Sequence, residues 1–135
     1  MPTLIEPIYV VDTNALIWYL TKDKKLTKAA AEIFAAAERG ETSLYISVIT
    51  IAEMYYANQK WKWFDDFVAA YRDMKEKPYF HVVPFLPDEV LEFDKDNAVP
   101  EMHDRIITGL AHRLEAPLLT SDPLIASAKL VEIVW

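Results

Sequence analysis

Four acidic residues, Asp12, Glu53, Asp104 and Asp122, each fall where an apolar strand-like run gives way to a helix or where a helix begins. Carboxylates brought within a few ångströms of one another repel and resist desolvation. Such a cluster therefore needs a proton, a basic partner or bound cations. Hard oxygen ligands favour Mg²⁺ or Mn²⁺. One or two such ions can hold a phosphodiester, lower the pKa of an attacking water and neutralise charge on the leaving oxygen, which is hydrolytic phosphoryl-transfer chemistry. Whether these four acids meet depends on the elements that carry them.

Ile8 to Val11 is a β-favouring run that ends at Asp12-Thr13-Asn14, polar residues suited to capping the apolar helix Ala15 to Leu20. Thr27 to Arg39 is Ala-rich and helical, with Thr27 as N-cap and Gly40 as its stop. Leu44 to Ile49 reads as a second strand, and Thr50-Ile51-Ala52-Glu53 has the spacing of a capping box that opens a new helix. Trp61, Phe64, Phe67, Val68 and Tyr71 recur at helical spacing, predicting a helix over Trp61 to Lys77 that Pro78 ends. Tyr79 to Phe85 is a third strand, and Pro87-Asp88 opens a short helix to about Asp96. Met102 to Leu114 is a helix whose Ile106, Ile107, Leu110 and Leu114 form one stripe. Pro117 to Thr120 and Leu130 to Trp135 are the last two strands, separated by a helix with Asp122 as N-cap and Pro123 at its first position.

Strands that alternate with helices need crossover connections, so the expected fold is α/β: an open, mostly parallel five-stranded sheet with helices on both faces. All strand C-termini then lie on one edge, where ligands bind. If the first strand is central, flanked by the second and fourth, the four acids converge although 110 positions separate Asp12 from Asp122.

The chain has 135 residues, 53% of them hydrophobic, which suits one domain over 1–135. Without Cys it has neither disulfides nor thiolate metal sites, and a cytoplasmic location is expected. Met1 to Pro7 lacks the basic and apolar segments of a leader, and later apolar runs are broken by charge well short of a membrane span. A net charge of −7 argues against a whole-surface nucleic-acid binder but permits a local basic patch or a metal-screened site.

The ordered motifs Val10-Val11-Asp12-Thr13-Asn14, Ile51-Ala52-Glu53, His103-Asp104-Arg105-Ile106-Ile107 and Leu118-Leu119-Thr120-Ser121-Asp122 closely resemble the PIN-domain family, and the short length is similar to its VapC-type toxins. The resemblance spans essentially the whole chain. It implies a strand order of 3-2-1-4-5, Mg²⁺- or Mn²⁺-dependent endoribonuclease activity on an RNA substrate, and inhibition by a small cognate antitoxin protein. A homodimer is also expected. The family pattern puts Asp12, Glu53, Asp104 and Asp122 in the acidic site, with Thr13, Asn14 and Thr120 helping to organise it.

Each acid taken alone has a plainer role, since negative side chains at helix starts satisfy free N–H groups and suit the helix dipole. Asp88, which matches no motif position, is read as a cap, and Asp23, Asp65, Asp66, Asp94 and Asp96 as solvated surface. His103 is given a structural or capping role, His112 lies too far along its helix for direct contact with the site, and His81 is read as a satisfied core or edge residue. Arg105 is expected to pair with Glu101. Lys24 and Lys25, within a lysine-rich stretch, are candidate RNA contacts. Trp61, Trp63, Tyr55 and Tyr56 are assigned to core or dimer packing in preference to base stacking.

Three other functions compete. A response-regulator-like domain would need a phosphoacceptor Asp ending its third strand, and Phe85-Leu86-Pro87 stands there instead. A non-catalytic binding module would lack acids, and none is missing. An RNA-processing or quality-control nuclease acting without an antitoxin would share the chemistry, and only the neighbouring reading frame separates it from a toxin.

Overall fold

A computed structural model describes residues 6–135; Met1 to Ile5, the start of the stretch inspected for a leader, lie outside the described residues. Five strands, β1 (Ile8–Val11), β2 (Ser43–Ser47), β3 (Phe80–Val83), β4 (Leu118–Leu119) and β5 (Ile133–Val134), pair in parallel in the order β3-β2-β1-β4-β5. The expected 3-2-1-4-5 topology is therefore present. Helices α1 (Thr13–Thr21), α2 (Lys28–Glu38), α3 (Val48–Trp61), α4 (Phe67–Glu76), α5 (Met102–Leu114) and α6 (Pro123–Ala128) fill the crossovers, with a 3-10 helix over Pro87–Asp96.

Side chains alternate across a strand, and here both faces are buried, as a parallel sheet covered by helices requires. Val11, Leu44, Ile46 and Leu119 face a core built with Leu16, Phe34 and Met54 from α1, α2 and α3. Val10 and Leu118 face the opposite core, with Ile107 and Leu110 of α5 and Ile125 of α6. β1 sits in the middle, with Val10 level with Tyr45 on one side and Leu118 on the other. Among the described residues no helix is long and apolar enough to cross a membrane.

Several boundaries depart from the sequence reading, each for a local reason. β2 ends at Ser47, whose hydroxyl accepts from the Ile49 amide and caps α3, so Val48 and Ile49 are helical despite their β preference. Thr50 is thus inside the helix and buried, and caps nothing. The helix expected over Trp61 to Lys77 is broken: α3 closes at Lys62 in a left-handed conformation, and Asp66 caps α4 through the Ala69 amide. Asn58 pins the intervening turn, donating from Nδ2 to the Phe64 carbonyl (3.0 Å) and accepting from the Phe64 amide (2.9 Å). Gly40 does follow α2 with φ +78°, a conformation that suits a residue without Cβ.

Other single-residue readings are corrected too. The 3-10 helix start is bound by Glu89, which accepts from the Leu86 amide at 2.6 Å, and not by Asp88. Asp96 is no surface acid: it is 3% exposed and lies 3.2 Å from His112 Nδ1. Arg105 turns away from Glu101 and donates from Nε to the Val99 carbonyl (2.8 Å), holding the segment that leads into α5. Trp61, Tyr55 and Tyr56 are not in the core, being exposed.

Candidate active site

The C-terminal edge of the sheet collects the acids because each sits just past a strand or at the start of the helix returning to one. Asp12 follows β1 and is the N-cap of α1; its Oδ1 accepts from the Thr13 amide at 2.7 Å and its Oδ2 from the Thr120 hydroxyl at 2.6 Å. Thr120 follows β4 and also accepts from the Asp122 amide (3.0 Å), while Asp122 caps α6 through the Leu124 amide (2.8 Å). Glu53 lies in the second turn of α3, where the Thr13 hydroxyl donates to its Oε1 at 2.6 Å. The Thr13 and Thr50 hydroxyls are 3.1 Å apart. One hydroxyl network thus ties β1, β4, α1 and α3 together.

Asp104, in the first turn of α5, differs from the others. It is half-buried, and no described residue donates a hydrogen bond to its carboxylate. Burial first, then the charges of Asp12, Asp122, Glu101 and Glu53, push its carboxyl up to about 7. Burial likewise raises Asp12 above its ordinary range. The hydrogen bonds from Thr120 and the Thr13 amide oppose that rise, and the charges of Glu53 and Asp122 add to it. Asp104 thus feels the charges of the other three sequence-selected acids, and Asp12 those of Glu53 and Asp122. Helix capping explains part of the placement of Asp12 and Asp122, but it explains neither this mutual field nor the undonated Asp104.

Cation binding fits the donor chemistry of the site: oxygen ligands only, unfavourably close in charge, one without any donor. As they stand, no three His, Asp or Glu side chains among the described residues occupy ready-made ligating positions. Asp122 Oδ2 and Glu53 Oε2 accept no hydrogen bond from a described side chain or amide, so both remain available to a hard cation. The arrangement can thus hold a positive ion or a cationic side chain, and either would relieve the repulsion.

Three further residues join the site that were not assigned to it from sequence. Glu101, the N-cap of α5, accepts from the Asp104 amide (2.8 Å) and adds a fifth negative charge. His103 Nδ1 lies 3.6 Å from Glu53 Oε2 and 3.4 Å from Glu101 Oε1. Thr50 is the third, one turn before Glu53. Its three-residue offset from Glu53 was the available signal, taken for a capping box. Asn14 is exposed, and its side chain bonds to none of the acids among the described residues. Lys24 and Lys25 lie beyond the far end of α1 from Asp12, roughly 12 Å or more along the helix axis. Lys25 Nζ stands 5.7 Å over the Trp18 ring. His112 pairs with Asp96, away from the acids.

A family model described as PIN domain matches residues 9–129. Comparison with curated proteins finds no significant match. Solved structures share the fold: VapBC2 from Rickettsia felis bound to a DNA fragment from their promoter has a TM-score of 0.67 at 14% identity, covering 93% of this chain and 96% of that one. DNA-bound VapBC from Salmonella typhimurium gives 0.66 at 17% identity over 94% and 96% of the two chains. FitAcB from Neisseria gonorrhoeae gives 0.66 at 16% identity over 93% and 95%.

Proposed function

The chain belongs to the PIN-domain family, and on that premise we propose that it is a metal-dependent endoribonuclease, the toxin half of a toxin–antitoxin pair acting in the cytoplasm. The observation that carries the reading is the shared field of Asp12, Glu53, Asp104 and Asp122, with Asp104 pushed up to about 7 and without a donor. In this proposal those four acids hold Mg²⁺ or Mn²⁺. When bound, the ion supplies charge neutralisation at the scissile phosphate and a lowered pKa for the attacking water.

The chain's own residues prepare that chemistry. Thr120 and the Thr13 amide fix both oxygens of Asp12, leaving each with a lone pair to offer. The Thr13 hydroxyl fixes Glu53. The Asp104 carboxyl, pushed up to about 7, is partly protonated at neutral pH and would ionise fully beside a bound cation. Asn14, in the first turn of α1 two residues past Asp12, is exposed. Hydrolysis adds water across one P–O bond of the RNA backbone, leaving a phosphomonoester and a free hydroxyl.

The same acids would attract a guanidinium, so an antitoxin segment placing Arg among them would exclude metal and substrate together. The VapC-like motifs and the fold shared with VapBC assemblies support that partner, and a homodimer is proposed on the same basis.

The test is incubation of purified protein with defined structured RNAs, with Mn²⁺ and with EDTA, followed by end mapping. Defined cuts with Mn²⁺ that vanish with EDTA and in Asp104→Asn are expected. Cleavage that persists in excess EDTA would sink the metal-dependent reading. Expression without a partner should arrest growth, and unaffected growth would remove the toxin assignment while leaving the nuclease.

A further inference from the structure

The helix that carries Glu53 leaves the acidic edge and ends among aromatic side chains that neither core takes up. Tyr56 is 73% exposed and Trp61 61%; Trp63, just past the helix, is 38% exposed. The Trp61 and Trp63 rings lie within 20° of parallel with centroids 6.4 Å apart, and Lys60 Nζ stands 5.0 Å over Trp61. Lys62 lies between the two indoles in sequence, at the left-handed end of α3. Large apolar rings grouped on a surface mark an interaction site more often than solvent alone would allow.

Charge decides between occupants. In a chain of net −7, Lys60 to Trp63 carries two cations and no acid. Asp65 and Asp66 follow, and the Asp66 carboxylate is engaged at the start of α4. On the axis of a two-fold contact this patch would meet itself, with Lys60 and Lys62 against the same lysines, and off the axis it would still bring two lysines into an interface core, where Lys is depleted. Exposed rings interleaved with cations instead match unpaired nucleic acid, whose bases offer π faces and whose backbone offers negative charge. The register agrees: Glu53, Tyr56 and Lys60 recur at i, i+3 and i+7 on one face of α3, and Trp61 lies roughly 12 Å along the axis from Glu53.

We propose that Trp61 and Trp63, with Lys60 and Lys62, form a stacking site for unpaired RNA bases flanking the bond cut at the acidic edge. The inference rests on the nuclease reading above and adds a preference for single-stranded segments. It is tested by binding of a fluorescent 12-nucleotide single-stranded RNA, and of a duplex of the same composition, in EDTA so that no cutting occurs. Trp61→Ala combined with Trp63→Ala should weaken single-strand binding between roughly fivefold and a hundredfold per lost stacking contact, with duplex binding little changed. Trp61→Phe, which keeps a π face, should retain most of the affinity. Lys60→Gln with Lys62→Gln should lower the slope of log K against log salt by about 1.4.

Trp61→Ala alone, at the more exposed position, covers the case in which the double variant fails to fold. Wild-type protein that cuts RNA while these variants bind the single strand unchanged would overturn the inference and leave the nuclease reading intact. Unchanged RNA affinity together with a shift from dimer to monomer would overturn it in favour of a second copy of the chain. Wild-type protein that neither binds nor cuts RNA would overturn both.

Discussion

The hydroxyl of Thr13 on α1 donates to Glu53 Oε1 on α3 across 2.6 Å, joining two helices that follow different strands. This bond fixes one oxygen of the Glu53 carboxylate. Replacing the donor with the near-isosteric Thr13→Val should leave Glu53 free to turn. Hydrolysis is expected to fall by roughly 10- to 100-fold, the usual cost of losing a group that orients a ligand. Stability should fall by about 1 kcal/mol, the worth of an ordinary hydrogen bond. Steady-state kinetics at saturating Mn²⁺ alongside a urea melt check both. A large stability loss with wild-type turnover would place Thr13 in the scaffold only.

Thr120 stabilises the ionised form of Asp12, so Thr120→Ala should push the Asp12 carboxyl still higher. Metal must then displace a more tightly held proton. The Mn²⁺ concentration at half-maximal activity is expected to rise by roughly 10- to 100-fold, more at pH 6 than at pH 8, with Thr120→Ser restoring most of it. A metal titration at the two pH values reads this directly; equal metal dependence in wild type and Thr120→Ala would contradict the role.

Lys24 and Lys25, if they contact the RNA backbone, do so at the end of α1 remote from Asp12. Replacing both with Ala should lower the salt slope of single-strand binding by about 1.4, while turnover at saturating RNA is retained. Because Lys25 stands over Trp18, the single variants should divide that change unequally, with Lys24→Ala giving the larger part. An unchanged slope would leave these lysines as solvated surface.

The parallel sheet with helices on both faces was legible because β1, β2 and the α5 stripe carry strong apolar patterns, whereas its order 3-2-1-4-5 was implied by the resemblance to the PIN-domain family. Val10 and Val11 alone nearly require helices on both sides, since adjacent strand residues buried on opposite faces need cover on each. What escaped was the punctuation. With only two Gly residues in the chain, α1, α3, α5 and α6 end on Lys22, Lys62, Glu115 and Lys129 in the left-handed region, so nothing in residue type marked the stop at Lys62. Apolar periodicity ran on across the break because Phe64 and Phe67 pack on the same core from either side of it. Ser47 capped α3 three residues before the motif taken for its start, which hid the buried contact of Thr50 with Thr13. Asp104 was found by motif, but its lack of a donor and the added charge of Glu101 emerge only once α5 is docked against the sheet edge.

Asp104 also provides the sharpest test of the site. Its folded carboxyl sits at about 7 against an ordinary 3.8, so the native state binds more protons than the unfolded chain between those values. A raised group contributes stability fully below its unfolded pKa and loses it as pH climbs through the folded one. In the absence of metal, the contribution of Asp104 should therefore decline from about pH 4 to about pH 7. Asp104→Asn carries no charge at any of these pH values and escapes the decline. Without metal the melting temperature of wild type relative to the Asn variant should fall across this window, leaving the variant at least as stable at pH 7.5. Added Mn²⁺ should reverse the order, stabilising wild type and shifting the Asn variant little, because the neutral amide is a poor ligand for a hard cation. A melting series for both proteins from pH 4 to 8, with EDTA and with Mn²⁺, measures all of this at once. An ordinary cap would give the opposite result, with the Asn variant less stable at neutral pH and both proteins indifferent to Mn²⁺; that outcome would remove Asp104 from any metal site.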